Sequence, residues 1–190
     1  MFDKYILKVI LLVHTGELNV HIIFFNSKGG VSKSTLCEYT AQELQRLGYS
    51  VNVDNTDQQQ HVTLIENEEA DYFVYDTAGA FTSDNLELLK AAANANVLII
   101  VPLNTGKNDL KEIPFIAEKL NELGLKDKTR FVFTKTRPNS KSLTERRITL
   151  AEFGLTSINW VMPMLDDFSE QRNTARTRNE ILAFLHELVL

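Results

Sequence analysis

Six apolar segments recur along the chain and separate its more polar stretches. They are rich in β-branched and aromatic residues, are mostly continuous rather than alternating, and occupy residues 19–26, 49–54, 71–76, 96–103, 129–134 and 157–162. Continuous apolar runs are typical of strands that are buried on both faces of a parallel sheet. The pattern therefore predicts six strands of this kind.

Amphipathic stretches follow most of these strands and predict helices over 34–47, 83–93, 109–123, 142–153 and 169–190. Three of them are followed directly by Gly48, Gly124 and Gly154, and glycine commonly ends a helix. Alternating strands and helices indicate the α/β class, with a mostly parallel sheet and helices on both faces. The 190 residues fit one domain, which we place at residues 20–190.

Residues 1–19 form an N-terminal extension that allows three interpretations. The run "YILKVILLV" suggests a signal peptide, but Lys8 interrupts it, no small-residue cleavage site follows, and it falls short of the ~20 residues of a membrane helix. We therefore do not expect export. The extension is either an extra edge strand or short helix packed on the domain, or the product of an upstream start, with Val20 as the true first codon.

Composition and charge narrow the class of protein. With 44% hydrophobic and 24% charged residues the chain reads as a globular, cytoplasmic protein. A single cysteine, Cys37, excludes a disulfide framework and reads as a buried small hydrophobe, and the four histidines show no ligand spacing. The net charge is −5, yet residues 126–178 carry eleven Lys and Arg against six Asp and Glu, or +5. This basic region is either a polyanion-binding face or a set of solvated helix surfaces.

The stretch "FFNSKGGVSKSTL" joins the first predicted strand to the first predicted helix through a glycine-rich turn. A helix that begins near Lys33 directs backbone N–H groups and the positive end of its dipole to one point, which favours a phosphate. Gly29 and Gly30 let the backbone approach the phosphate oxygens. Lys33 supplies charge to the β and γ phosphates, and Ser34 is placed to ligate Mg²⁺.

The usual phosphate-loop pattern G-x-x-x-x-G-K-[ST] is not met, because Ser27 and Ser32 occupy its glycine positions. Instead, "KGGVSKS" resembles the deviant Walker A motif K-G-G-x-x-K-[ST] of the ParA/MinD family of ATPases, and departs from its usual form only at Ser32. The resemblance implies a P-loop NTPase fold of SIMIBI type. It also implies that Lys28 reaches across a dimer interface to the γ phosphate of the partner's nucleotide. The implied nucleotide contacts are Lys28, Gly29, Gly30, Val31, Ser32, Lys33, Ser34 and Thr35.

Ser32 raises the question of whether the site still works. A side chain at this position could crowd the phosphates or strain the turn, by about 1 to 3 kcal/mol where the backbone is sparsely allowed. Alternatively, the small hydroxyl group donates to a phosphate oxygen. We expect binding to survive, weakened at most, and hydrolysis to suffer more.

A second motif, "DYFVYDTAGA", ends an apolar strand with Asp76. This is the Walker B arrangement, in which a carboxylate at the sheet edge holds Mg²⁺, usually through water, and Gly79 offers its N–H near the γ phosphate. The segment "VDNTDQ" lies where the ParA family has D-x-D-P-Q. Without a gap Asp54 and Gln58 match; with one inserted residue Asp57 could be the second aspartate. We favour Asp54 as the catalytic carboxylate, beside Lys28 and Lys33.

ATP is favoured over GTP as the nucleotide. "DTAG" also occurs in the signal-recognition GTPases, and "FTKTRP" resembles their T-K-x-D guanine motif. That motif needs a carboxylate for the guanine edge, whereas Arg137 has donors only. We expect adenine to lie in the segments that follow Thr134 and Met162.

The resemblance further implies an ATP-dependent homodimer that binds DNA without sequence preference and positions plasmids or other cargo. It also implies slow hydrolysis stimulated by a ParB-like or other adaptor protein, and a nucleoid location when DNA is bound. In "RNTARTR", Arg172, Arg176 and Arg178 are the candidate DNA-binding residues, with Arg172 and Arg176 on one helix face. The alternative is a helix whose arginines pair with Glu170 and Glu180.

The end of the chain separates two branches of the resemblance. MinD-like members bind membranes through a C-terminal amphipathic helix, but "EILAFLHELVL" has no Lys or Arg after Arg178, whereas interfacial helices usually carry cations. We therefore predict a helix docked on the sheet and no membrane attachment. Three functions stay open: a DNA-positioning ATPase, a nucleotide-gated module that recruits a partner with little hydrolysis, and a MinD-like membrane-associated ATPase.

Overall fold

The computed structural model describes residues 19–55, 70–79 and 82–189. Residues 1–18 of the N-terminal extension lie outside the described residues, as do Thr56, Asp57 and Gln58 of the "VDNTDQ" segment. The described strands number six and agree closely with the predicted ones: β1 Val20–Phe24, β2 Val51–Asn55, β3 Tyr72–Asp76, β4 Val97–Leu103, β5 Thr129–Thr134 and β6 Ser157–Met162.

All neighbouring strands in the sheet pair in parallel, in the order β2-β3-β1-β4-β5-β6. The chain leaves β1 toward one side of the sheet and, after β3, crosses to the other side at β4. Ligands in open α/β sheets bind at such a switch point, beyond the carboxyl ends of the strands. The loop after β1 lies at that edge of the sheet.

Six described helices cover the sheet: α1 Lys33–Arg46, α2 Ser83–Ala92, α3 Ile113–Glu122, α4 Lys141–Glu152, α5 Asp166–Ser169 and α6 Ala175–Val189. A 3₁₀ turn, Leu110–Glu112, occupies the start of the helix predicted over 109–123, and Pro114 lies in the first turn of α3, where its missing N–H costs no bond. Gly48, Gly124 and Gly154 adopt positive φ, as expected of helix stops.

Two apolar cores lie on the two faces of the sheet. One contains Ile23 and Phe73 from the strands and packs against α2, α3 and α4. The other contains Ile22 and Val74 and packs against α1 and α6. Because successive strand residues point to opposite faces, strands buried on both faces read as continuous apolar runs. The predicted α/β class with helices on both faces is confirmed.

Cys37 lies in α1 within the second core and is buried, as predicted. Burial, together with the nearby Asp76 carboxylate, raises the pKa of this thiol well above its ordinary range. The cysteine is therefore a packing residue of α1.

The C-terminal region differs from the single helix predicted over 169–190. The chain turns at Gln171, whose φ is 52°, and a new helix begins after Thr174. Thr174 and Thr177 form a reciprocal cap: each side-chain oxygen accepts from the other residue's backbone N–H, at 2.9 and 3.3 Å. Arg172 therefore precedes α6, and the prediction that Arg172 and Arg176 share a helix face is wrong.

Within the described part of the chain, the helices fall short of the length and apolar character that a membrane span requires.

Candidate phosphate-binding site

The loop between β1 and α1 is fixed at both ends by buried hydrogen bonds. Asn26 is 1% exposed; its side-chain amide donates to the Pro102 carbonyl, and its side-chain oxygen accepts from the Lys28 N–H at 2.8 Å. At the far end, the Thr134 hydroxyl donates to the Val31 carbonyl at 3.0 Å. The loop is thus held by β4 and β5, on one side of β1.

Ser32 adopts the left-handed conformation, with φ 65° and ψ 25°, at the N-cap of α1. A residue with a Cβ pays about 1 to 2 kcal/mol there, which is why glycine is usual. The Ser32 carbonyl accepts from the Leu36 N–H at 3.0 Å, but its side chain makes no capping bond. The strain considered from the sequence is therefore present, and Ser32 is one of the residues that line the cavity described below.

Lys33 is buried and joins the loop to the end of β3. Its ammonium lies 3.0 Å from Asp76 Oδ1 and also donates to the Thr77 carbonyl. The Thr77 hydroxyl in turn donates to the Phe24 carbonyl at 2.9 Å. The lysine of the first motif and the aspartate of the second, 43 residues apart, thus meet as a buried ion pair.

Lys28, the second lysine, is held by the segment that follows β4. Its ammonium lies 2.7 Å from Asp109 Oδ1; the Lys28 side chain is 34% exposed and that of Asp109 is 6% exposed. The neighbouring Ser27 hydroxyl donates to Glu112. Sequence reasoning missed both carboxylates, since 81 and 85 residues separate them from their partners and no motif marks them.

Gly79 lies against the phosphate loop. A Cβ added to Gly79 would lie 3.7 Å from the Gly29 backbone nitrogen. The preceding carbonyl, that of Ala78, accepts from the Asn85 side-chain amide at 3.1 Å. The segment after β3 is therefore held between the loop and α2.

Asp54 ends up near the same edge, on the neighbouring strand. It is 7% exposed, and burial raises its pKa. Asp54 is in register with Tyr75, whereas Asn55 is in register with Asp76. The two aspartates therefore leave the sheet on opposite faces of the pleat.

A cavity of about 600 Å³ lies over the loop. It is lined by Lys28 to Thr35, Gly79 and Lys135, and by the segment after β6 from Met162 to Asp166. Its volume falls within the range of small-molecule sites, roughly 300 to 1,000 Å³. Both segments expected to hold the base, those after Thr134 and Met162, contribute to its walls.

The residues present fit a phosphate-bound magnesium ion rather than an ion held by protein alone. Among the described residues, His, Cys, Asp and Glu form no group of three or more that could hold a metal. Mg²⁺ is usually bound by one or two carboxylates together with substrate phosphates and water. Ser34 and Asp76, next to and in contact with Lys33, are a donor set of that kind.

The three candidate DNA-binding arginines differ in their contacts and exposure. Arg172 lies 3.4 Å from Asp167, and Arg178 donates to the Asn173 side chain at 3.4 Å. Arg176 is exposed. Neither Arg172 nor Arg178 pairs with Glu180, which instead accepts from the Trp160 indole N–H at 3.1 Å.

The fold and the loop define a P-loop nucleotide-binding protein. A family model described as the CobQ/CobB/MinD/ParA nucleotide binding domain matches residues 22–177. The chain belongs to this family, as the resemblance of "KGGVSKS" implied. A search of curated proteins gives no match.

Three solved structures share the fold. The MinD cell division protein of Aquifex aeolicus has a TM-score of 0.61 and 13% identity, over 88% of this chain and 96% of that one. A plasmid partition protein of Borrelia burgdorferi has a TM-score of 0.60 and 16% identity, over 90% and 100%. Cobyrinic acid a,c-diamide synthase of Mycobacterium smegmatis, with bound ATP analog and magnesium, has a TM-score of 0.61 and 13% identity, over 88% and 94%.

Proposed function

We propose that the chain is an ATP-dependent dimerising switch of ParA type. In this proposal it binds ATP with Mg²⁺, pairs with a second copy, binds DNA without sequence preference, and hydrolyses ATP slowly under the control of a ParB-like or other adaptor. Its task is to position or segregate plasmid or other DNA cargo. Membership of the nucleotide-binding family and the geometry of the loop support the first step.

In this proposal, backbone and side-chain donors of the loop bind the triphosphate. Gly29 and Gly30 leave open space where a Cβ would stand, so phosphate oxygens can approach their backbone. The Lys33 ammonium has three donors, and Asp76 and the Thr77 carbonyl use two of them. We assign the remaining donor to the β and γ phosphates. Mg²⁺, held by Ser34 and by Asp76 through water, would offset the phosphate charge.

The second lysine carries the proposal of a dimer. One phosphate loop requires one lysine, which is Lys33. Lys28 stands at the rim of the same cavity, and its side chain is one-third exposed. A flexible, partly exposed ammonium next to one nucleotide site can reach the phosphates of a second molecule that faces it. This favours a dimer in which each Lys28 contacts the partner's nucleotide.

Three further residues near the loop, Gly79, Asp54 and Ser32, support slow hydrolysis of ATP. Phosphoryl transfer depends mainly on positioned charge, and Gly79 and Asp54 are our candidates for orienting the γ phosphate and the attacking water. The strained Ser32 lies beside Lys33, so a small shift of the loop displaces a phosphate contact. We therefore expect turnover that needs a stimulating partner.

DNA binding rests on the basic region. Arg176 is exposed near the start of α6, and Gln171, in the preceding turn, lines the nucleotide cavity. Arginines that contact phosphates give salt-sensitive, sequence-independent affinity. The turn therefore offers a route by which the nucleotide site and a DNA-binding surface influence one another.

The experiment measures ATP hydrolysis and oligomeric state together, with and without nonspecific DNA. Wild type is compared with Lys28→Ala and with the control Lys90→Ala, which removes an exposed lysine of α2. We expect ATP-dependent dimers, DNA binding and slow turnover in wild type and the control, and the loss of all three in Lys28→Ala. A chain that stays monomeric with ATP, or dimers that form equally in Lys28→Ala, would contradict the proposal.

A second candidate function is a nucleotide-gated interaction module. In this version ATP binding and dimerisation recruit a partner, with little or no hydrolysis. The left-handed conformation of Ser32 favours this function. A strained residue beside the phosphates weakens ATP binding less than it disturbs the alignment of the transition state for hydrolysis. ATP-dependent dimers that show no turnover, with or without DNA, would support the module over the motor.

A further inference from the structure

The peptide that joins Ala78 to Gly79 is fixed from one side. The Asn85 side-chain amide donates to the Ala78 carbonyl at 3.1 Å, and Asn85 is 1% exposed. On the other side, Gly79 packs against Gly29, since an added Cβ would lie in ordinary van der Waals contact with the Gly29 backbone nitrogen, at 3.7 Å. The peptide thus lies between α2 and the phosphate loop.

Because the peptide is planar, the position of the Ala78 carbonyl fixes the direction of the Gly79 N–H. The described chain contains no cis peptide bond, so the carbonyl and the N–H of each peptide point to opposite sides. Since Asn85 holds the Ala78 carbonyl toward α2, the Gly79 N–H points away from α2. Gly79 also lines the cavity over the phosphate loop.

Asn85 is itself held in place by the start of its helix. Its backbone N–H donates to the Thr82 hydroxyl at 3.2 Å, which caps α2. The buried side chain lies next to Leu88 and Leu89, one turn further along the helix, both of which belong to the core. A side chain in this environment keeps one rotamer, so the bond to Ala78 is set before any ligand arrives.

We propose that Asn85 is a positioning residue that aims the Gly79 N–H at the terminal phosphate of the bound nucleotide. It would thereby make the site prefer a nucleoside triphosphate to a diphosphate. The inference rests on the proposed function, because it assumes that ATP is the ligand. It adds the residue that connects α2 to the terminal phosphate, so that loss of this phosphate changes the contacts of the first turn of α2.

Two substitutions test the role. Asn85→Ala removes the donor and leaves the Ala78 carbonyl unpaired. Asn85→Asp keeps the shape but offers only acceptors, which favours a flipped peptide whose Gly79 N–H faces the helix. Leu120→Ala in α3 is the matched control, because it weakens the same core from a different helix and leaves the first turn of α2 intact.

The readout is the affinity for ADP and for the nonhydrolysable triphosphate AMPPNP, each with Mg²⁺, in the full-length chain. We expect both Asn85 variants to bind AMPPNP roughly tenfold more weakly, as the loss of one hydrogen bond to a charged group requires, with ADP binding within about twofold of wild type. Leu120→Ala should leave the ratio of the two affinities unchanged, even where it lowers the melting temperature as much.

Three outcomes would overturn the inference. The first is an unchanged ratio of the two affinities in both Asn85 variants, the second an equal weakening of AMPPNP and ADP binding in these variants, and the third an equal change of the ratio in Leu120→Ala. Each leaves the proposed function standing as long as wild type binds AMPPNP. A wild-type chain that binds neither nucleotide overturns the proposed function and the inference together.

Discussion

The Lys28 ammonium lies 2.7 Å from the Asp109 carboxylate, in the same chain, and Lys28 lines the cavity over the phosphate loop. Asp109 is nearly buried, whereas Lys28 is partly exposed. The lysine that we expect to serve a second molecule therefore already has a partner within its own chain. To contact a phosphate of the second molecule's nucleotide, Lys28 must first break its ion pair with Asp109.

The Asp109→Asn variant tests this exchange. The substitution removes the negative charge but keeps the shape of the side chain, so Lys28 no longer has to leave an ion pair. We expect ATP-dependent dimers to form at a lower chain concentration than in wild type, while the free energy of unfolding falls by about 1 to 3 kcal/mol, because the buried carboxylate loses a charge-assisted hydrogen bond. Sedimentation velocity over a range of chain concentrations measures the first, and urea titration the second.

The control for this variant is Glu122→Gln, which breaks the exposed ion pair that Glu122 forms with Lys119, also at 2.7 Å. It should leave the dimerisation constant unchanged. If Asp109→Asn instead abolishes dimerisation, Asp109 is needed to place Lys28, and the idea of competing anions is wrong.

Ser32→Gly is expected to stabilise the chain. Glycine removes the strain of a left-handed side chain, about 1 to 2 kcal/mol, but gives back roughly 0.4 to 1 kcal/mol through the entropy of the unfolded chain. The net gain should be about 1 kcal/mol or less, seen as a higher urea midpoint with an unchanged slope. Turnover should rise as well, because the relaxed loop follows the usual family pattern.

Ser140→Gly is the control for Ser32→Gly and is expected to change stability in the opposite direction. Ser140 also caps a helix, but its φ is −77° and its hydroxyl accepts from the Leu143 N–H at 3.3 Å. Replacing it removes a capping bond and relieves no strain, so its urea midpoint should fall. Midpoints that move in the same direction for both serines would refute the assignment of strain to Ser32.

Much of this architecture could be predicted from local patterns, because strands and the phosphate loop are local features. The continuous apolar runs located β1 to β6 within about two residues, and "KGGVSKS" forms the loop that lines the cavity. Contacts between segments far apart in sequence could not be predicted in the same way. Asp109 and Asn85 carry no motif, and their partners become evident only once β4 and α2 are placed beside the loop.

The error at the C-terminus has a different cause. Nothing between Ser169 and Ala175 is glycine or proline, so the helical pattern appeared to run on. The turn is made by Gln171 in a left-handed conformation and by the reciprocal cap of Thr174 and Thr177. Threonine three residues after threonine is a weaker signal than the usual glutamate at that position, and the break was therefore missed.

His21 gives the stability a defined pH dependence. Its ring stacks on Phe73, its Nδ1 lies 3.0 Å from the Tyr75 hydroxyl, and burial lowers its pKa from 6.5. Because the folded pKa lies below the unfolded one, the unfolded chain binds more protons in between. The contribution of neutral His21 to the free energy of unfolding is therefore present in full above pH 6.5 and is lost as the pH falls through the pKa of the folded state.

The measurement compares the free energy of unfolding at pH 7.5 and pH 5.5 in wild type and in His21→Phe. The difference between the two pH values should shrink in the variant, since a phenyl ring fills the same layer without binding a proton. The exposed His186 serves as the control, and His186→Gln should leave the difference unchanged. A His21→Phe chain that loses as much stability on acidification as wild type would show that other groups set the pH dependence.

The arginines around the turn before α6 should differ in their contribution to DNA binding. Arg176 is exposed, whereas the Arg172 guanidinium already lies 3.4 Å from Asp167. Each phosphate contact adds about one unit to the slope of affinity against salt concentration on logarithmic axes. We therefore expect Arg176→Ala to lower that slope by about one unit for nonspecific DNA in the presence of ATP, and Arg172→Ala to lower it by less. Lys90→Ala, outside the basic region, should leave the slope unchanged, and equal slopes in all three variants would move the DNA-binding surface away from this turn.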